Sequence, residues 1–162
     1  MTGVDTVTLR VVEPGDHAFL VDLYASTRAA ELALLPWDAA TRTTFVAQQF
    51  ALQDASWSAA FPALERFLVL VATAPAGRVY VERSGPTHHL VDVAITPEVR
   101  GRGVGSFLLA RLTAEADACG ATMSLHVVPG NPAQRLYERF GFHAVDHRPF
   151  HTRMERQPTT AA

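Results

Sequence analysis

The sequence predicts an α/β domain with a mixed, mostly antiparallel sheet flanked by helices, and three observations carry that reading. Three short strand-like runs, residues 67–73, 78–83 and 88–95, follow one another with turn residues between them, as in an antiparallel meander. The last run leads into the turn Arg100-Gly101-Arg102-Gly103-Val104-Gly105, and a helical run follows as far as Cys119. The length, 162 residues at 48% hydrophobic content, suits one domain with its own core.

The elements follow in order. Val7, Leu9 and Val11 alternate with Thr8 and Arg10, giving a first strand. Glu13-Pro14-Gly15-Asp16 is a turn, and Asp16 caps a helix over residues 17–35 with Phe19, Leu20, Leu23 and Tyr24 at helical spacing. Pro36 ends it. Asp38 caps a second helix that runs through Phe45, Gln49 and Leu52 to about Ala60, closed by Phe61-Pro62. Residues 67–73 form a buried strand, Ala74-Pro75-Ala76-Gly77 a turn, and residues 78–83 a strand with Val79 and Val81 on one face and Tyr80 and Glu82 on the other. After Ser84-Gly85-Pro86 comes the strand over 88–95, where plain alternation groups His89 with Val91 and Val93, opposite His88, Leu90 and Asp92. The helix that opens at Gly103 shows a stripe of Val104, Leu108 and Leu112, with Phe107 filling it, and Gly120 stops it. Residues 121–128 form a strand, and Asn131 caps a short helix to Phe140 with Pro132 in its first turn. Residues 142–146 and 150–154 form a last strand pair. Residues 1–157 then make a single domain, and 158–162 a flexible tail.

Composition excludes several classes of function. A net charge of −2 argues against general nucleic-acid binding. Lysine is absent and every Lys-or-Arg position is Arg, with several clustered over 100–111 and over 135–156; the second cluster reads as a solvated face. The lone Cys119 rules out an internal disulfide and reads as a small packed side chain rather than a nucleophile. The N-terminus shows no signal-peptide core, and the longest apolar run, residues 67–72, is too short to span a bilayer. The expectation is a cytoplasmic protein without membrane or nucleic-acid partners.

The turn at 100–105 carries the chemistry. The first amides of a helix have no acceptor within it, and the helix dipole adds partial positive charge there. Glycines let a phosphate approach the backbone, and Arg100 and Arg102 add charge. The ligand expected is a phosphate, most simply a pyrophosphate. A P-loop needs Lys after its last glycine, whereas Ser106 and Phe107 follow Gly105. From Gly101 the spacing is G-x-G-x-G, one residue short of the dinucleotide-binding pattern.

A second motif lies downstream. Asn131-Pro132-Ala133-Gln134-Arg135-Leu136-Tyr137 continues through Glu138-Arg139-Phe140 to Gly141-Phe142. Together with Arg100-x-x-Gly103-x-Gly105 it resembles the GCN5-related N-acetyltransferase (GNAT) superfamily over roughly residues 66–145. The resemblance implies a GNAT-type sheet with a splayed strand pair, between 88–95 and 124–128, into which acetyl-CoA wedges as cosubstrate. It implies that Arg100, Gly101, Arg102, Gly103, Val104, Gly105 and Ser106 cradle the pyrophosphate and that Asn131 and Ala133 help hold the pantetheine arm. Backbone amides around Val93, Ala94 and Ile95 would polarise the thioester carbonyl.

Transfer to an amine also needs a proton acceptor and a donor for the leaving thiolate. Tyr137 is the expected acid; the bland alternative is a core tyrosine packed on Phe142. For the base, counting back six residues from Ile95 reaches His89 where histone-type members have Glu. Glu82, Asp92, His126 or a water chain are alternatives. Trp37, Trp57, Gln49, Gln53, Arg28 and Glu31 lie in the early helices that form an acceptor wall in the family; core packing and a surface pair explain the tryptophans and Arg28–Glu31 as well. The expected reaction is direct attack of a primary amine on acetyl-CoA, with a small-molecule amine as partner and homodimerisation left open. The competing functions are a non-catalytic acyl-CoA sensor and a protein acetyltransferase.

Overall fold

Leu68 and Val69 are neighbours on one strand, neither has any exposed surface, and they enter different hydrophobic cores. Successive strand residues point to opposite faces, so this sheet is covered on both. The computed structural model describes residues 6–160. The strands are β1 Val7–Val11, β2 Glu65–Val71, β3 Ala74–Glu82, β4 Thr87–Ile95, β5 Thr122–Val127, β6 His143–His147 and β7 Thr152–Arg156. The helices are α1 His17–Thr27, α2 Ala29–Ala33, α3 Ala39–Ala60, α4 Val104–Cys119 and α5 Ala133–Arg139, with 3₁₀ turns at Pro14–Asp16 and Pro97–Val99. The seven strands form one sheet in the order β1-β2-β3-β4-β5-β7-β6. Every neighbouring pair is antiparallel except β4 and β5, which are parallel.

One face carries α4 and α5. Leu108, Leu109 and Leu112 of α4 bury themselves against Val69, Val79, Leu90 and Met123 of the sheet. Each such leucine contributes about 1.5–3 kcal/mol. The other face carries α1 and α3, with Leu20, Tyr24, Val46 and Phe50 over Leu68. Among the described residues, no helix is long and apolar enough to cross a membrane.

Most elements fall where periodicity places them, including β1, α3 with Asp38 accepting from the Thr41 amide, and the closing pair β6–β7. Three local expectations are corrected. The helix over 17–35 is two helices, broken at Arg28 with φ −108° and ψ 2°. Just before the break, the hydroxyls of Ser26 and Thr27 donate to the carbonyls of Leu23 and Tyr24, competing with the helical ladder. The hairpin turn between β2 and β3 is Ala72-Thr73, not 74–77: both residues have positive φ, 47° and 72°, as a two-residue type I′ turn requires. Pro75 and Gly77 instead flank a bulge in β3, where Val69 pairs with Gly77 and Leu70 with Pro75, leaving Ala76 over. Finally, Phe107 is 45% exposed and outside the α4 stripe. Further along, Thr159 donates from its amide and hydroxyl to Asp117, which Arg156 also grips at 2.8 and 3.0 Å.

Candidate active site

Strand β4 builds the site, through a bulge and a gap. Its pairing with β5 runs only from Thr87–Thr122 to Leu90–Leu125, so the residues from Val91 to Ile95 have no partner on that side. Alternate backbone groups there face an open wedge rather than a ladder. On its other side, β4 pairs Asp92 with Tyr80 and Leu90 with Val81, leaving Val91 as an extra residue. This bulge inverts the strand's parity. His89 pairs with Glu82, and Glu82 and Tyr80 share a face of β3, so His89 and Asp92 lie on one face together. Plain alternation places them on opposite faces. The shared face is that of α3, because Tyr80 packs edge-on against Trp57 at 5.7 Å.

The end of β4 leads to the helix N-terminus that the glycine pattern marks. Gly101 and Gly103 have φ of 75° and 83°, in the left-handed region that side chains avoid. The first helical bond of α4 runs from the Phe107 amide to the Gly103 carbonyl, so the amides of Val104, Gly105 and Ser106 have no acceptor within the helix. They open into a cleft of ≈ 500 Å³. Of the residues expected to bind the cosubstrate, Ile95, Arg100, Gly101, Gly103, Val104, Gly105 and Ser106 line this cleft together. Arg100 is exposed and donates from Nε to the Ile95 carbonyl at 3.0 Å, tying the turn to the strand end. Arg102 is exposed and does not line the cleft, and Asn131 lines the adjoining hollow. The Asn131 Oδ1 accepts from the Ala133 amide at 2.9 Å, which starts α5. Val93 is partly buried and Ala94 buried where β4 pairs with β3. The cleft adds Pro132, just before α5, and Arg135, Leu136 and Arg139 of that helix. The arginines extend the positive rim and stand in the run that composition alone reads as a solvated face. Gly105 permits this closeness, since a Cβ there would lie 3.2 Å from Leu136 Cδ2.

Tyr137 reaches the region from the α4 face, packed edge-on against Phe142 with centroids 6.0 Å apart. The packing alternative is therefore present, and it holds a phenol whose pKa is pushed up to about 12, first by burial and then by the charge of Asp92. Asp92 itself is raised by burial, against the pull of Arg78, whose Nε donates to Asp92 Oδ2 at 2.6 Å. His89 lies where β4 is still paired on both sides, with Glu82 and with Ser124, and its ring packs on Phe61 at 5.5 Å.

The other residues singled out by sequence fall as follows. The Glu82 carboxylate accepts from the Ala63 amide, and His126 stacks edge-on with His151 at 4.9 Å. Burial lowers the His126 pKa, and the neighbouring His151 and Arg153 lower it further. Trp37 packs on Phe45 at 4.9 Å. Arg28 pairs with Glu31 at 2.9 Å and also donates to the Tyr24 hydroxyl. Cys119 is exposed rather than packed. It ends the 16-residue α4, which puts it about 22 Å from the helix N-terminus, too far for a nucleophile of this cleft. Sequence reasoning missed Arg78. Its signal is a lone charged residue at the head of an apolar run on a central strand, and nothing local says which carboxylate meets it.

Comparison with known proteins agrees with this geometry. The family model described as acetyltransferase (GNAT) family matches residues 31–142. Among solved structures, the PaiA N-acetyltransferase of Thermoplasma acidophilum, in complex with coenzyme A, superposes with a TM-score of 0.69 at 14% identity, over 94% of this chain and 99% of that one. An acetyltransferase from Thermus thermophilus gives 0.68 at 24% identity, over 95% and 98%. The spermidine N-acetyltransferase of Vibrio cholerae, in complex with CoA and spermine, gives 0.62 at 22%, over 93% and 95%. No curated protein sequence matches this chain significantly. At these identities the structural likeness speaks for the fold; the family match covers well over half of the chain, and with the parted strands and the glycine-lined helix end it establishes that this protein belongs to the GNAT family of acetyl-CoA-dependent acetyltransferases.

Proposed function

We propose that the protein transfers the acetyl group of acetyl-CoA to a primary amine on a small molecule, by direct attack with both substrates bound. The observation that carries this reading is the continuity of two features: the cleft at the N-terminus of α4 meets the open side of β4 at Ile95, and Tyr137 packs on the same α4-side core as Val93 and Ile95. The free amides of Val104, Gly105 and Ser106, with Arg100, Arg135 and Arg139 around them, suit a pyrophosphate. The backbone of Val93, Ala94 and Ile95, unpaired toward β5, suits the thioester end, where an amide donor strengthens its bond as the carbonyl oxygen gains charge.

Tyr137 takes the acid role. A phenol at about 12 stays protonated at neutral pH and donates to the sulfur as the carbon–sulfur bond breaks. It is a weaker acid than a thiol, near 8.5, so it delivers its proton fully only as it regains one from the acetylated nitrogen. Support for a small amine is coarser: a protein of the same fold is a spermidine N-acetyltransferase.

The test is thiol release from acetyl-CoA across polyamines, aminoglycosides, amino acids, arylamines and lysine- or N-terminal peptides. Turnover with a small amine is expected. Turnover with peptides alone would overturn the small-molecule reading, and tight acetyl-CoA binding without any turnover would overturn acetyl transfer itself.

A further inference from the structure

Arg78 is almost fully buried on the central strand β3, with 3% of its side chain exposed. Its guanidinium faces the rings of Phe50, Trp57 and Tyr80, with centroids at 5.8, 5.3 and 5.0 Å. Nε donates to Asp92 Oδ2 at 2.6 Å, and Nη2 reaches Gln53 Oε1 at 3.3 Å. Burying a guanidinium is costly even when it is paired, and an apolar residue would fill the same space more cheaply. The pair is kept where β4 leaves β5.

Asp92 differs from its partner. A quarter of its side chain is exposed, and among the described residues no protein group donates to Oδ1. It lies two residues past Leu90, the last residue of β4 paired with β5. The extra residue Val91 turns it toward the α3 face, while Tyr137 approaches from the α4 face. The charge of Asp92 is felt at the phenol, from the stretch of β4 that has no partner in β5.

We propose that Asp92 Oδ1 is the proton acceptor for the incoming amine and that Arg78 is its positioning residue, fixing Oδ2 so that Oδ1 faces the gap. The proposal rests on the acetyl-transfer reading of the same cleft. The ammonium gives one proton to Oδ1, and the free nitrogen lone pair forms a bond to the thioester carbon. As the carbon–sulfur bond breaks, the sulfur takes the phenolic proton of Tyr137, which regains one from the nitrogen. Asp92 then loses its proton to solvent, so one proton is released per acetyl group transferred.

The surroundings of Asp92 support the role. Arg78 and Tyr80 face it from β3, Gln53 from α3 through Arg78, and Tyr137 from α5. Helix α1, which packs over β3 and β4, carries His17, Asp22 and Tyr24, yet among the described residues the only charge that shifts Asp92 is that of Arg78. Burial outweighs it and leaves a carboxylate more basic than an exposed one. His89 is three residues earlier, inside the ladder with β5.

The experiment measures acetyl-CoA turnover against pH with a verified amine, beside acetyl-CoA affinity and thermal stability. Asp92→Asn keeps the volume and an oxygen acceptor for Arg78. It is expected to bind acetyl-CoA as the native protein does, to lose about a hundredfold in kcat at neutral pH, and to recover in part where the amine is already free. Arg78→Gln leaves Asp92 in place and removes the charge that lowers its pKa, so the acid limb of kcat/KM should move to higher pH; Arg78→Lys, which keeps a charge, should move it less. An Asp92→Asn protein with native rate and pH profile overturns the assignment. So does Arg78→Gln that lowers the melting temperature without moving the limb, or His89→Ala that abolishes the limb while Asp92→Asn retains it. A native protein that binds acetyl-CoA and acetylates no amine overturns the parent reading, and this one with it.

Discussion

Gly77→Ala should damage stability and catalysis together. A Cβ on Gly77 would lie 2.4 Å from the Ala94 carbonyl oxygen, 2.9 Å from Ile95 Cδ1 and 3.3 Å from Ile95 Cα. A relaxed carbon–oxygen contact is about 3.3 Å or more, so β4 must retreat from β3 by about 1 Å at the strand end that borders the cleft. Overpacking of this kind costs about 1–3 kcal/mol. In a chain of this size each kcal/mol lowers the melting temperature by about 2–4 °C, which predicts a drop of about 2–12 °C. A displacement of about 1 Å among positioning groups also costs on the order of a hundredfold in rate, so turnover should fall well beyond what the lost stability explains at 25 °C. Circular dichroism melts and thiol release measure the two effects on one preparation. Gly15→Ala is the control: among the described residues nothing lies within 4 Å of its Cβ, and the change should be neutral or stabilising by up to about 1 kcal/mol. If Gly77→Ala melts with the native protein and turns over at its rate, the close approach of β3 to β4 does not hold the site, and the reasoning fails.

Tyr137→Phe keeps the ring on Phe142 and removes only the donor, so kcat should fall about a hundredfold or more with acetyl-CoA affinity retained; equal losses in both would assign Tyr137 to packing. Gly103→Glu sits at φ 83° with none of the described residues within 4 Å of its Cβ, so it should cost only about 1–2 kcal/mol of backbone strain while abolishing acetyl-CoA binding; a folded variant with native affinity, read by calorimetry, would refute the pyrophosphate placement. Cys119→Ala should leave turnover unchanged, and an acetylated Cys119 trapped in the native protein would overturn direct transfer. His88 is buried and its pKa is lowered, first by burial and then by Arg83. The folded state therefore resists a proton that the unfolded chain accepts, and stability should decline as pH falls below about 6.5. Melts of His88→Asn between pH 7.5 and 5.5 should show a shallower decline than the native protein, and an identical slope would remove His88 as the cause.

The sequence by itself determines most of the elements and the glycine turn at the N-terminus of α4, because those depend on neighbours in the chain. Gly101, Gly103 and Gly120 stand where the backbone needs a positive φ, and Asp38 stands where a helix needs an acceptor for its first amides. The motif from Asn131 to Phe142 likewise places Tyr137 on a short helix, whose Arg135, Leu136 and Arg139 line the cleft with that turn. Tertiary structure decides what depends on pairing between distant residues. Whether Pro75 and Gly77 make a turn or a bulge is settled by how β3 pairs with β2, since both sites tolerate the same residues. The face that Asp92 presents is settled by one unpaired residue, Val91, visible only when β3 and β4 are aligned; alternation alone puts it opposite His89. That Arg78 of β3 meets Asp92 of β4 within a ring of aromatic side chains, partly from α3, is a fact of packing. Periodicity reports which residues are buried together along one element. It carries no information about which charge another element brings to them, and the proton acceptor proposed for this site depends on that meeting.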